Sequence, residues 1–154
     1  MNIKNMSPVL YLLCGLPGSG KTTLAKKISN DCNAIRFSPD EWLYELGLSF
    51  DDDKARRSLE KLQWKIAQNL LKIGNNIVLE NGFWFKAERD SYRFTAEKLG
   101  AITKIYFLEV STEELKKRLN HRNQLASRAI PIVNFRQLDK WINIFEPPTN
   151  EELY

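Results

Sequence analysis

The sequence has few of the residues from which transition-metal sites are built. Histidine occurs once, at His121, and cysteine twice, at Cys14 and Cys32. No Cys/His cluster suggests a zinc site. Cys14 ends an apolar run, so free thiols are expected rather than a disulfide, which fits a cytoplasmic location. No apolar run approaches the roughly 20 residues that span a bilayer. The first residues carry no signal-peptide pattern, and no membrane partner is expected. Internal repeats and low-complexity segments are lacking. Charge of one sign is lacking too: 23 Lys and Arg stand against 19 Asp and Glu, for a net +4. That balance suits a phosphate-rich ligand without by itself arguing for nucleic acid.

What is present is a chain of 154 residues, 43% of them hydrophobic, the size of one ordinary domain spanning 1–154. Its most informative stretch is Gly15-Leu16-Pro17-Gly18-Ser19-Gly20-Lys21-Thr22-Thr23. This fits G-x-x-x-x-G-K-[ST] at every fixed position. Val9 to Cys14 precedes it as an apolar run that reads as a buried strand, and Leu24 to Ile28 follows with helix formers. Strand, glycine loop and helix is the context of a phosphate-binding loop. Glycines let the backbone approach a polyphosphate, and successive N–H groups at a helix N-terminus converge on it. Residues Gly15, Pro17, Gly18, Ser19, Gly20, Lys21, Thr22 and Thr23 are therefore the expected nucleotide cradle. Lys21 would reach the β- and γ-phosphates, and the Thr22 hydroxyl would bind Mg²⁺.

Ala34 to Phe37 reads as a second strand, followed by Ser38-Pro39-Asp40-Glu41, a capping box with proline at the first helical position. Asp40 then lies in the first turn of a helix, just past a strand end, where ligands sit in parallel α/β sheets. Two readings of it stand: a carboxylate that complements the helix dipole, or a base that accepts a proton from a substrate hydroxyl. Asp51, Asp52 and Asp53 cap the next helix rather than form a metal cluster. That helix is expected over about 53–73, burying Leu59, Leu62, Ile66, Leu70 and Ile73. Ile77 to Glu80 is a third strand ending in an acid, the Walker B pattern, so Glu80 is expected behind Mg²⁺. Phe83, Trp84 and Phe85 either cover the sheet end or form an apolar wall for an acceptor. A helix over 86–99 presents Lys86, Arg89 and Arg93 as a solvated basic face or as a substrate-anion site.

Thr103 to Val110 reads as a fourth strand, and Ser111 to Glu114 as another capping box. The helix that follows carries Arg118 and Arg122 on one face. With the polar stretch after it, this is what a lid over 116–130 looks like, its arginines closing over the γ-phosphate. Ile130 to Val133 is a short edge element. Asn134 to Phe145 reads as a helix with Phe135, Leu138, Trp141, Ile142 and Phe145 on one face, and the last residues as a tail on the surface.

Together the glycine loop, Ser38-Pro39-Asp40-Glu41-Trp42, Glu80-Asn81-Gly82-Phe83-Trp84, Ala87-Glu88-Arg89-Asp90 and Phe145-Glu146-Pro147-Pro148 resemble a family of small bacterial P-loop proteins. These are described as kinases or AAA-family ATPases, within the zeta-toxin, chloramphenicol-phosphotransferase and polynucleotide-kinase-like group. The resemblance covers nearly the whole chain. It implies a three-layer α/β fold: a parallel sheet of four or five strands with the glycine-loop strand central, helices on both faces and a helical lid. It implies ATP-dependent phosphorylation of a hydroxyl, with Asp40 as the acceptor-activating aspartate and Arg118 and Arg122 as lid arginines. Polynucleotide kinases of the group tend to place an arginine shortly after that aspartate, whereas Trp42, Leu43 and Tyr44 follow here.

The expectation is thus an ATP- and Mg²⁺-dependent kinase, acting as a monomer or weak dimer on a hydroxyl-bearing small molecule. Lys21, Asp40, Arg118 and Arg122 would be catalytic, and Thr22 and Glu80 would hold the metal. The alternatives are an NTP-hydrolysing switch or partner-binding module, a polynucleotide 5′-hydroxyl kinase, and a toxin acting on a nucleotide-sugar.

Overall fold

Four short strands, each feeding a helix, build the molecule. In the computed structural model, which describes residues 6–125 and 130–153, β1 (Val9–Cys14), β2 (Ala34–Phe37), β3 (Asn76–Gly82) and β4 (Ile102–Phe107) form one sheet in the order β2-β3-β1-β4. All pairs are parallel; Leu12 lies opposite Leu79 on one side and Ile105 on the other. The glycine-loop strand β1 is interior, and its six apolar residues suit a strand covered on both faces. Leu10, Leu12 and Cys14 point to one layer, packing with Ala67, Leu71 and Ala96. Tyr11 and Leu13 point to the other, against Ala25 and Ile28. This is the expected three-layer α/β arrangement.

The first layer is made by α3 (Asp53–Lys72) and α4 (Lys86–Lys98), and the second by α1 (Lys21–Asp31). α2 (Pro39–Glu45) is a short helix entered through Ser38, whose Oγ accepts from the Glu41 amide. α5 (Thr112–Gln124) and α6 (Phe135–Ile144) close the glycine-loop side around a small core of Leu115, Leu119, Val133 and Leu138. Because the strands are parallel, Gly15–Gly20, Ser38–Asp40, Glu80–Trp84 and Leu108–Ser111 all leave the sheet at one edge.

Several expectations are corrected. The buried line of α3 is Leu59, Gln63, Ala67 and Leu71, whereas Leu62 is 50% and Ile73 76% exposed. A helix crossing a twisted sheet buries an inclined i+4 row rather than a stripe parallel to its axis. The small Ala67 at the centre of that row lets the backbones approach. Ile130 to Val133 forms no strand; Val133 packs into the α5/α6 core instead. β4 ends at Phe107, so Leu108 to Val110 lead out of the sheet.

The C-terminal segment is not a surface tail. Residues 150–153 form a 3-10 turn that buries Glu152 (4% exposed) against Arg89 (0% exposed). Arg89 Nε donates to Glu152 Oε1 at 2.8 Å, and Arg93 donates to the Glu152 backbone carbonyl at 3.0 Å. Arg89 and Arg93 thus form neither a solvated face nor an anion site. They clamp the chain end, while Lys86 pairs on the surface with Asp90.

Candidate functional site

The glycine loop is held open from behind. The Gly15 amide donates to the Gly82 carbonyl at 2.9 Å, and Trp84 Nε1 donates to the Gly15 carbonyl at 3.2 Å. A Cβ at Gly15 would lie 2.6 Å from Ser19 Oγ, and one at Gly18, where φ is +83°, would lie 3.1 Å from Leu119. Both positions therefore need glycine. Trp84 braces the loop and Phe83 is buried in the core. Phe83 takes φ +48°, and Arg89 holds that left-handed turn by donating to the Phe83 carbonyl at 2.9 Å.

α1 begins at Gly20 with no side-chain cap, whereas α2, α3, α5 and α6 are capped by Ser38, Asp52, Ser111 and Asn134. The first amides of α1, next to the buried Ser19 Oγ that has no partner among the described residues, suit the oxygens of a polyphosphate. Pro17 shapes the turn without donating, and Thr23 is exposed in the first turn of α1. Lys21 folds back over the loop, donating to the carbonyls of Gly15 (3.1 Å) and Leu16 (2.9 Å). Burial lowers its pKa to about 8; Asp40 and Glu80 oppose that shift and Arg122 adds to it.

Thr22 Oγ1 donates to Glu80 Oε1 at 2.9 Å. One hydroxyl and one carboxylate fit a Mg²⁺ whose other ligands are phosphate oxygens and water. No group of three or more His, Cys, Asp or Glu that could hold a metal occurs among the described residues, the Asp51–Asp53 run included. Asp52 caps α3 instead, accepting from the Ala55 amide.

Two cations at the site have no counterpart in the sequence reading. Arg36 bridges Glu80 Oε2 (2.8 Å) and Glu41 Oε1 (2.6 Å), so Glu41 serves this bridge instead of completing a reciprocal capping box. Arg56 on α3 donates to Asp40 Oδ1 at 2.5 Å. An arginine inside a short strand was the only available signal for Arg36. For Arg56 there was none, because 16 residues of helix and loop separate it from Asp40.

Of the lid arginines, Arg118 lies at the loop's rim, donating to Glu114 (3.0 Å) and to the Gly18 carbonyl (3.4 Å). Arg122 turns inward. It donates to the Pro131 carbonyl at 3.3 Å, and its Nε is buried with no partner among the described residues. Burial lowers its pKa, with Asp40 acting in the opposite sense. The distal part of the expected lid, 126–129, lies outside the described residues.

A family model described as an AAA domain matches residues 10–148. Among solved structures, a chain of the Pnkp1/Rnl/Hen1 RNA repair complex is 23% identical with a TM-score of 0.74, over 93% of this chain and 45% of that one. This chain thus spans less than half of that match. A gluconokinase from Sinorhizobium meliloti is 19% identical, TM-score 0.66, over 96% and 80% of the two chains. The Mycobacterium tuberculosis APS kinase CysC, in complex with AMPPNP and APS, is 18% identical, TM-score 0.61, over 80% and 75%. The fold is that of the P-loop kinases.

Proposed function

We propose that this chain, which belongs to the AAA domain family, is a kinase that moves the γ-phosphate of ATP to a hydroxyl of a small molecule. One observation carries the reading: Lys21 folds over the glycine loop onto the Gly15 and Leu16 carbonyls while Thr22, beside it, donates to Glu80 at 2.9 Å. A phosphate-binding lysine and a metal-holding hydroxyl–carboxylate pair thus adjoin, and Asp40, leaving the same edge of the sheet, and Arg122 on α5 are the second carboxylate and the arginine of this reading. The α1 amides and Lys21 hold the phosphates. Thr22 and Glu80 would hold Mg²⁺, which would supply positive charge beside the phosphate oxygens. Asp40 accepts the acceptor's hydroxyl proton as its oxygen bonds to the γ-phosphorus. The bond from that phosphorus to the β,γ-bridging oxygen breaks, and ADP leaves with the electron pair. Arg122, with Arg118 at the rim, balances the charge that spreads over the transferring group. Most of the acceleration is positioning and charge stabilisation.

Transfer of labelled γ-phosphate to a panel of hydroxyl compounds tests this. Lys21→Ala should lower transfer by at least about 10²–10³-fold, the cost of losing one electrostatic stabiliser. Asp40→Asn should keep ATP binding and lose about 10²–10⁴-fold in transfer. Unchanged turnover in both would end the reading. Arg56 beside Asp40 favours a second reading, a polynucleotide 5′-hydroxyl acceptor. It supplies from α3 the cation lacking just after Asp40. A 5′-hydroxyl oligonucleotide in the same panel decides, and its binding should weaken steeply with salt.

A further inference from the structure

Beyond Asp40, the ends of α3 and α4 nearest the ligand edge of the sheet carry groups that the phosphoryl-transfer machinery does not use. Trp64 of α3 stacks on Tyr92 of α4, with centroids 4.3 Å apart, and Phe83 meets the same ring edge-on at 5.0 Å. This aromatic contact forms a floor. One helical turn nearer the ligand edge of the sheet on each helix stands a carboxyl group: Glu60, four residues before Trp64, and Glu88, four before Tyr92. A further turn up α3 is Arg56, already paired with Asp40. Gln63, 1% exposed, lies on the same side of α3; its Nε2 donates to the Ser38 carbonyl at the base of the helix bearing Asp40. Its Oε1 is buried without a partner among the described residues, and so is Asn81 Oδ1 at the end of β3.

These two buried atoms without partners are of one kind. The two orphan atoms are hydrogen-bond acceptors, and Glu60 and Glu88 add acceptor oxygens. Arg56 is the one cation bonded into the cluster, and Asp40 already balances it. Buried polar atoms without partners are rare in folded proteins and ask for a ligand or water. The complement of such a lining is a molecule with many donors and no anionic group of its own. We propose that the acceptor binds in the cleft bounded by Asp40, Glu60, Gln63, Asn81 and Glu88, and that it is a neutral or cationic compound rich in hydroxyl or amine donors, a polyol or amino-sugar rather than a phosphorylated or carboxylated molecule. This rests on the kinase reading above and names its substrate class.

At Glu60, burial and the charge of Glu88 act in the same direction. Glu60 is pushed up to about 7, by burial first, with Glu88 and Asp40 adding and Arg56 opposing, and Glu88 is raised by burial. An ammonium group placed between them would relieve that repulsion.

The test measures kcat/KM with ATP for kanamycin, glucosamine and sorbitol against gluconate, glucose 6-phosphate and a 5′-hydroxyl oligonucleotide. Equilibrium dialysis measures binding of each compound. The first three should be preferred by at least about tenfold, the discrimination that a 1.4 kcal/mol difference gives. The double variant Glu60→Gln, Glu88→Gln keeps the shape and removes the charge. It should raise KM for kanamycin and glucosamine at least tenfold and change sorbitol less. Binding of a fluorescent ATP analogue reports that the variant is folded. Preference for an anionic acceptor, an unchanged kanamycin KM in the double variant, or no binding of the first three compounds overturns the assignment. Lys21-dependent transfer to an anionic acceptor would sink this inference and leave the kinase reading standing. Kanamycin binding that falls in the double variant, in a protein with no Lys21-dependent transfer, would sink the kinase reading and leave the cleft.

Discussion

Two helices carry arginines at the same four-residue spacing, Arg89 and Arg93 on α4 and Arg118 and Arg122 on α5. On α4 the pair is consumed by structure. Arg89 is fully buried, with its guanidinium divided among Glu152, the Phe83 carbonyl and the Glu146 carbonyl. On α5 the pair is held more loosely: Arg118 pairs on the surface with Glu114 and rests on the Gly18 carbonyl, and Arg122 keeps a buried Nε without a partner among the described residues. Spacing sets which face a side chain takes. A carboxylate arriving from a distant segment decides whether that charge is spent inside the fold: Glu152 does so on α4, whereas the Glu114 partner of Arg118 lies on α5 itself and is exposed.

The comparison can be broken by exchanging the effects. Arg122→Ala should lower kcat by on the order of 10³-fold or more, the range for an arginine that stabilises a transferring phosphoryl group, with the thermal unfolding midpoint nearly unchanged. If unfolding shifts and kcat does not, α5 resembles α4 and the distinction fails. Arg89→Met should do the reverse. Removing one partner of a buried pair leaves Glu152 uncompensated, at about 3–5 kcal/mol of stability read by urea denaturation. Some loss of ATP affinity should follow, because Arg89 holds the turn through Phe83 that braces Gly15.

Acidity sharpens the same contrast. Arg89 and the Thr149 amide hold the Glu152 pKa below the ordinary carboxylate value, against the effect of burial. The stability this contributes is therefore present above about pH 4.5 and lost as pH falls through the lower folded value. Glu152→Gln should flatten that part of the stability profile. The slope has the same sign at Lys21 in a higher pH window, because burial lowers its pKa to about 8. The free protein should gain stability as pH rises from about 8 toward 10.4, the unfolded value. Nucleotide affinity should fall over the same interval, up to tenfold per pH unit, as isothermal titration at several pH values would register. The smallest effect is expected from Arg93→Ala, about 1 kcal/mol for one hydrogen bond to the Glu152 carbonyl.

The nucleotide half was legible because its chemistry is local. Strand, loop, lysine, threonine and helix lie within Val9–Asp31, and the dihedral needs of Gly18 and the contact limits at Gly15 follow from that short stretch. Glu80 was legible as an acid ending an apolar strand. Asp40 was legible only as far as its helix turn. That it would meet Arg56, and that Arg36 would join Glu80 to Glu41, depended on α3 and β2 being brought alongside. The buried face of α3 was misplaced for a related reason: periodicity gives a stripe, and the angle at which the helix crosses the sheet selects the row.

The sequence by itself determined a phosphate-binding loop between β1 and α1, the places of four strands though not where β4 ends, and the caps that start most of the helices. These depend on near neighbours, through backbone dihedrals, helix capping and the alternation of a strand. Only the tertiary structure decided which charges were spent and which were left. It paired Arg89 with Glu152 across 63 residues, set Arg56 against Asp40, and left Arg122, Gln63 and Asn81 with buried atoms unmatched among the described residues. Whether a buried polar group finds its partner depends on which segments the fold packs together, and no local pattern carries that information.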